Sequence, residues 1–141
     1  MAKKIGIIIG AVFVVIGLIG FISNPVVGSS DSLFATNTAH DIVHVLTGLI
    51  LIGIAMSRVS KLGTALKTFG IIYLAVAIFG FFAVNAGSGT GMVFSLLEVN
   101  TASNWLHVVL SIVLFAAGVV SSKDNGASVN SQTSQAPTMN A

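Results

Sequence analysis

The chain has 141 residues, 55% apolar and 7% charged, and a net charge of +2; a soluble domain carries about 25% charged residues. Six basic and four acidic residues cannot cover a water-soluble globule of this length, and a mean hydropathy of +1.01 points to lipid as the main solvent. Most soluble enzyme folds and any nucleic-acid reader are excluded, and the absence of Cys excludes disulfides, thiolate metal sites and thiol catalysis.

The first predicted element is a span over about residues 5–22, an unbroken run of 18 apolar or glycine residues. As a helix at ~1.5 Å per residue it reaches about 27 Å, close to the ~30 Å hydrocarbon core. Its 13 Ile, Leu, Val and Phe residues favour insertion by roughly 4 to 8 kcal/mol before the glycines subtract their part. Lys3, Lys4 and a weak small-residue site at Val26-Val27-Gly28 also resemble a signal peptide. The run exceeds the ~7 to 15 residues of a typical signal core, so an uncleaved span is expected. Gly6, Gly10, Gly17 and Gly20 fall on one arc of this helix, a smooth strip that lets another backbone approach closely. Gly48 and Gly70 offer further small packing positions on later spans.

Further spans are predicted over about 39–56, 68–84 and 104–120. Lys3 and Lys4 precede the first span, Arg58, Lys61 and Lys67 lie between the second and third, and Lys123 follows the fourth. The two remaining loops contain only acidic charges, Asp31 and Glu98. By the positive-inside rule both termini are expected in the cytoplasm. The domain organisation is then a four-helix transmembrane domain over 1–121 and a polar tail over 122–141, which has no apolar period and is expected to be disordered.

Shifting the chain by 63 residues aligns Asn37-Thr38-Ala39-His40-Asp41-Ile42-Val43-His44-Val45 with Asn100-Thr101-Ala102-Ser103-Asn104-Trp105-Leu106-His107-Val108, with five of nine positions identical. The fold expected is all-α, two helical hairpins of the same orientation related by an axis along the membrane normal. Asn37, Thr38, Asn100 and Thr101 mark helix starts, the threonines standing in a capping-box spacing to Asp41 and Asn104. His44 and His107 lie one turn deeper and, with Asp41 and Asn104, are the candidate polar site of the outer leaflet. His40, one turn above His44, is expected to be solvated in the interface; if helices two and four face each other, His40, Asp41, His44 and His107 could converge. Imidazoles and a carboxylate suit a divalent metal, and two opposed imidazoles a haem.

These residues resemble a family of small bacterial four-helix membrane proteins known only as a domain of unknown function. The resemblance rests on Leu33-Phe34-x-x-Asn37, Asp41-x-x-His44-x-x-x-Gly48, Gly70-x-x-Tyr73-Leu74 and Val99-Asn100-x-x-x-Asn104-Trp105-Leu106-His107, and covers about residues 5–120. Asp41 departs from the usual Asn of that pattern and Ser111 from a common Gly. The resemblance implies four spans in the bacterial plasma membrane and carries no activity. No phosphate loop, nucleophile elbow or H-E-x-x-H pair is present. The leading expectation is a non-enzymatic structural or accessory protein, without cofactor, whose partners are the bilayer and a second copy or another membrane protein. The alternatives are a metal- or haem-binding protein using His44 and His107, and a small transporter or channel with His44, Asp41 and Thr47 along its path.

Overall fold

The computed structural model describes residues 1–22, 24–84 and 89–134, the last ten as backbone only. In chain order it contains helix α1 (Ala2–Gly20), a parallel strand pair β1 (Val27–Gly28) and β2 (Phe34–Ala35), helices α2 (Thr38–Ser57) and α3 (Val59–Ala83), an antiparallel hairpin β3 (Thr90–Val93) and β4 (Leu97–Asn100), and α4 (Thr101–Ser134). Four helices are long and apolar enough to cross a membrane, the fourth over Thr101–Asp124. Ile8, Ile71, Phe82 and Ile112 point outward and glycines point inward. This inversion follows when lipid surrounds the bundle, because close backbone packing then replaces the hydrophobic effect between helices.

α1 lies antiparallel against α2. Gly6 faces Ala55, Gly10 faces Gly48 and Ile52, Gly17 faces Val45, and Gly20 faces the Asp41 carboxylate. α3 lies antiparallel against α4 in the same manner, with Gly63 against Gly118, Gly70 against Ser111 and Phe115, and Gly80 against the Asn104 amide. Phe13, Leu51, Leu62, Leu66, Tyr73 and Leu114 form the common core.

Three features differ from the sequence reading. α3 begins at Val59, so Arg58 alone separates it from α2, whereas the span was expected from about residue 68. Residues 59–67 contain no proline, Leu62 and Leu66 are fully buried, and Gly63 packs on α4, which makes this segment an amphipathic first part of the helix. α4 continues to Ser134, past the expected start of a disordered tail at Ser122; residues 135–141 of that tail lie outside the described residues. Ser121 is buried, Ser122 Oγ–H donates to the Gly118 carbonyl at 2.9 Å, and Asp124 accepts from the Ala2 N–H at 2.9 Å. Elongating a helix so anchored costs far less than starting one. Finally, the two loops at the opposite end carry short strands, whose signal is the alternation of buried Leu97 and Val99 with half-exposed Glu98 and Asn100.

The amino terminus lies 3.1 Å from the Asp124 carboxylate, and Lys67 packs on Gly118. Every Lys and Arg of the chain is therefore toward one end of the bundle, and the strands are at the other. There the two halves clasp each other: Asn37 Nδ2–H donates to the Leu96 carbonyl at 2.9 Å, and Asn100 Nδ2–H donates to the Leu33 carbonyl at 3.0 Å. The same two asparagines cap their helices through Oδ1, Asn37 accepting from His40 N–H at 3.0 Å and Asn100 from Ser103 N–H at 2.8 Å. Thr38 and Thr101 are instead the first helical residues, which corrects their assignment as caps. The shorter reach from an asparagine oxygen to the third helical N–H satisfies the free donor first.

The turn between β3 and β4 is closed by Leu96 N–H to the Val93 carbonyl at 3.0 Å and holds Phe94 at φ 53° and Ser95 at φ 56°. Such paired positive φ values suit glycine and asparagine. Ser95 is exposed, and Ser95→Gly is expected to stabilise the fold by about 0.5–1 kcal/mol in detergent unfolding; an unchanged midpoint would show the turn to be unstrained.

Candidate functional site

Three histidines meet beneath the strand layer. His40 and His44 stand one turn apart on α2, and His107 stands on α4. Each is 2–3% exposed, and one ring nitrogen of each lies within 4.8 Å of the other two. The ring centroids are 5.1 Å apart for His40 and His44, 5.1 Å for His40 and His107, and 5.9 Å for His44 and His107. The expectation that His40 is solvated in the interface is therefore corrected. β4 passes over the head of α2 and presents its Glu98 carbonyl to His40 Nδ1 at 2.7 Å, which both buries the ring and orients it.

The hydrogen bonds assign the tautomers. A carbonyl only accepts, so His40 Nδ1 carries the proton and, in the neutral ring, Nε2 is bare. His107 Nε2–H then donates to His40 Nε2 at 3.2 Å. This leaves His107 Nδ1 a bare buried acceptor. It and His44 Nδ1 have no hydrogen-bond partner among the described residues. Unpaired buried nitrogens are costly, on the order of 1–3 kcal/mol each, and two of them in one group need a physical account.

The rest of the pocket is aromatic. Phe13 of α1 stacks on His44 at 5.5 Å, and Tyr73 of α3 meets His44 and His107 edge-on at 5.7 and 5.5 Å. The Tyr73 hydroxyl donates to Thr47 Oγ1 at 3.4 Å. All four helices thus contribute to one site.

Asp41 and Asn104 do not join the three rings. Although both are buried, Asp41 turns its carboxylate to Gly20, and Asn104 turns its amide to Gly80. Asp41 lies ~100° around the helix from His40, which carries it to the α1 side. A four-membered His40, Asp41, His44 and His107 cluster is accordingly corrected to three histidines. The candidate packing glycines lie elsewhere, Gly6, Gly10 and Gly48 along the α1–α2 contact and Gly70 of α3 against Ser111 and Phe115 of α4.

Sequence reasoning missed Phe13 as a wall of the site, although it shares the α1 arc with Gly6, Gly10 and Gly17 and is buried with them. The Glu98 contact had no signal to find, because it is made by a backbone carbonyl.

Residues 3–120 match a family described as a domain of unknown function, DUF4383. No curated protein and no solved structure matches the chain.

Proposed function

This chain belongs to the DUF4383 family, and from its site we propose that it is a multi-pass membrane protein that holds a metal ion between His40, His44 and His107. The observation that carries the reading is the convergence of three buried ring nitrogens, one from each histidine, within 4.8 Å. Two further features support it. The 3.2 Å separation of His40 Nε2 and His107 Nε2 is close to the ~3.3 Å between two nitrogens bound tetrahedrally at ~2.0 Å. The bond from His40 Nδ1–H to the Glu98 carbonyl is the outer contact that fixes a metal-binding imidazole. A haem would have to part rings whose centroids lie 5.1 to 5.9 Å apart, so a bare ion suits the packing better.

The protein sits in a bacterial plasma membrane with both termini in the cytoplasm. The clustering of Lys and Arg at one end, beside the pairing of Met1 with Asp124, supports that orientation. The two halves are repeats about an axis along the membrane normal. In favour of this, the clasp bonds from Asn37 to Leu96 and from Asn100 to Leu33 exchange under the same 63-residue shift that aligns the sequence. Under that shift His44 maps to His107, while His40 maps to Ser103; the third ligand belongs to one half only.

The test is elemental analysis of detergent-purified protein. About one metal ion per chain is expected in the wild type, and each single His→Ala variant is expected to lower affinity by on the order of 100-fold or more. A wild type that takes up no metal from a supplemented buffer would overturn the reading. A second reading, in which the histidines only fasten the halves together, is favoured by the His40–His107 hydrogen bond between α2 and α4. It requires the His44→Leu/His107→Leu variant to lose assembly; a stable, fully folded double variant removes it.

A further inference from the structure

Resting on the three-histidine reading, we infer that the ion held is monovalent copper, bound by three imidazoles and no fourth ligand. The donor set is the first reason. His40, His44 and His107 are neutral ligands, the chain has no Cys, and the nearest acid in sequence, Asp41, turns its carboxylate to Gly20, ~100° around α2 from His40, and does not join the donor set. Three neutral donors leave the whole charge of the ion in the site. The cost of burying an ion in a low-dielectric medium rises with the square of its charge, so a divalent ion here costs about four times as much as a monovalent one.

Coordination number is the second reason. Zinc in protein sites takes four ligands, and where the protein supplies three, water or substrate takes the fourth position. The neighbours of these rings are aromatic and offer no fourth donor: Phe13 is stacked on His44, and the Tyr73 ring is edge-on to His44 and His107. The Tyr73 hydroxyl, the one polar atom of that wall, is directed to Thr47 Oγ1. Cu(I), with a filled d shell, is content with three ligands in a plane, and imidazole suits copper.

The movement needed is small. Three nitrogens at ~2.0 Å from one ion in a plane stand ~3.5 Å apart. His40 Nε2 and His107 Nε2 are at 3.2 Å already, with all three ring nitrogens inside 4.8 Å. His40 keeps its Nδ1–H bond to Glu98 and offers Nε2. His107 transfers its proton from Nε2 to the unpartnered Nδ1 and offers Nε2. Each ring remains neutral, so binding releases no net proton.

The experiment uses the full chain in detergent, titrated without oxygen with Cu(I) against a chromophoric Cu(I) chelator, and separately with Zn(II), followed by X-ray absorption of the loaded protein. One Cu(I) per chain is expected, with three nitrogen neighbours, and affinity at least about 100-fold above that for Zn(II). His44→Ala is expected to lower Cu(I) affinity by about 100-fold or more. His44→Met, which supplies a thioether that binds Cu(I) and not Zn(II), is expected to retain Cu(I) to within about tenfold while abolishing Zn(II) uptake. Tighter, four-coordinate Zn(II) lost in His107→Ala would overturn the copper inference and leave the three-histidine centre standing. Uptake of neither ion would overturn both.

Discussion

Gly48→Val is expected to separate α1 from α2 and to destabilise the bundle by about 3 kcal/mol or more, near the upper end of what inserting bulk into a packed contact costs. The physical ground is that the neighbours are backbone. A Cβ at position 48 would meet Val14 N at 2.8 Å and Val14 Cγ2 at 2.7 Å, and would press on the Gly10 carbonyl; a Cβ at position 10 would meet the Gly48 carbonyl at 2.7 Å. Side chains can rotate away from an intruding methyl group, but two helix backbones can only move apart. Because Phe13 reaches His44 across this contact, such a separation also opens the histidine pocket. Gly53 on the same helix is exposed and a Cβ there would touch nothing within 4 Å. Gly53→Ala is therefore expected to be neutral or to stabilise by up to about 1 kcal/mol through helix propensity alone. Unfolding in mixed detergent micelles distinguishes the two. Equal midpoints for Gly48→Val and the wild type would show that the α1–α2 approach is not a tight contact.

The second large effect is expected at the clasp. Asn37→Ala removes a helix cap worth about 1 kcal/mol and the bond to the Leu96 carbonyl, worth about another 1 kcal/mol. A loss of about 2 kcal/mol follows. Asn37→Asp separates the two contributions: its oxygen still caps His40 N–H, but a carboxylate cannot donate to a carbonyl and is repelled by it. This variant is expected to keep the helix start and to lose about 1–2 kcal/mol. Asn100→Asp should behave in the same way through Leu33, and the double Asp variant should lose both clasp bonds while the His40–Glu98 and His40–His107 contacts still join the halves. Asp variants as stable as the wild type would mean that the caps matter and the clasp does not.

The asparagine result also shows how far the chain could be read without coordinates. Asn37 and Asn100 were legible as helix starts because a polar residue that caps must precede an apolar run. Their second bond, each to the opposite half, was not legible, since its acceptors are the Leu33 and Leu96 carbonyls and a carbonyl is present at every residue. The glycine arc of α1 was visible at helical spacing, and what faces it was not. His44 and His107 were identified by their place inside apolar spans, where an ionisable side chain needs a reason. His40 was misjudged for a related cause: one turn nearer the surface it would be in water, were it not for β4 lying over it.

By itself the sequence determined the number of long apolar helices, the segregation of basic residues to one end and the polar motif at the heads of α2 and α4. These are properties of composition and period, which a chain carries whether folded or not. Only the tertiary structure decided that three histidines, one of them without a counterpart in the other half, share one pocket, and that Asp41 and Asn104 do not enter it. That outcome depends on how closely α1 approaches α2 and α3 approaches α4, and on where the hairpin closes over the end of the bundle. Such distances are set by packing between residues far apart in the chain, and no local pattern encodes them.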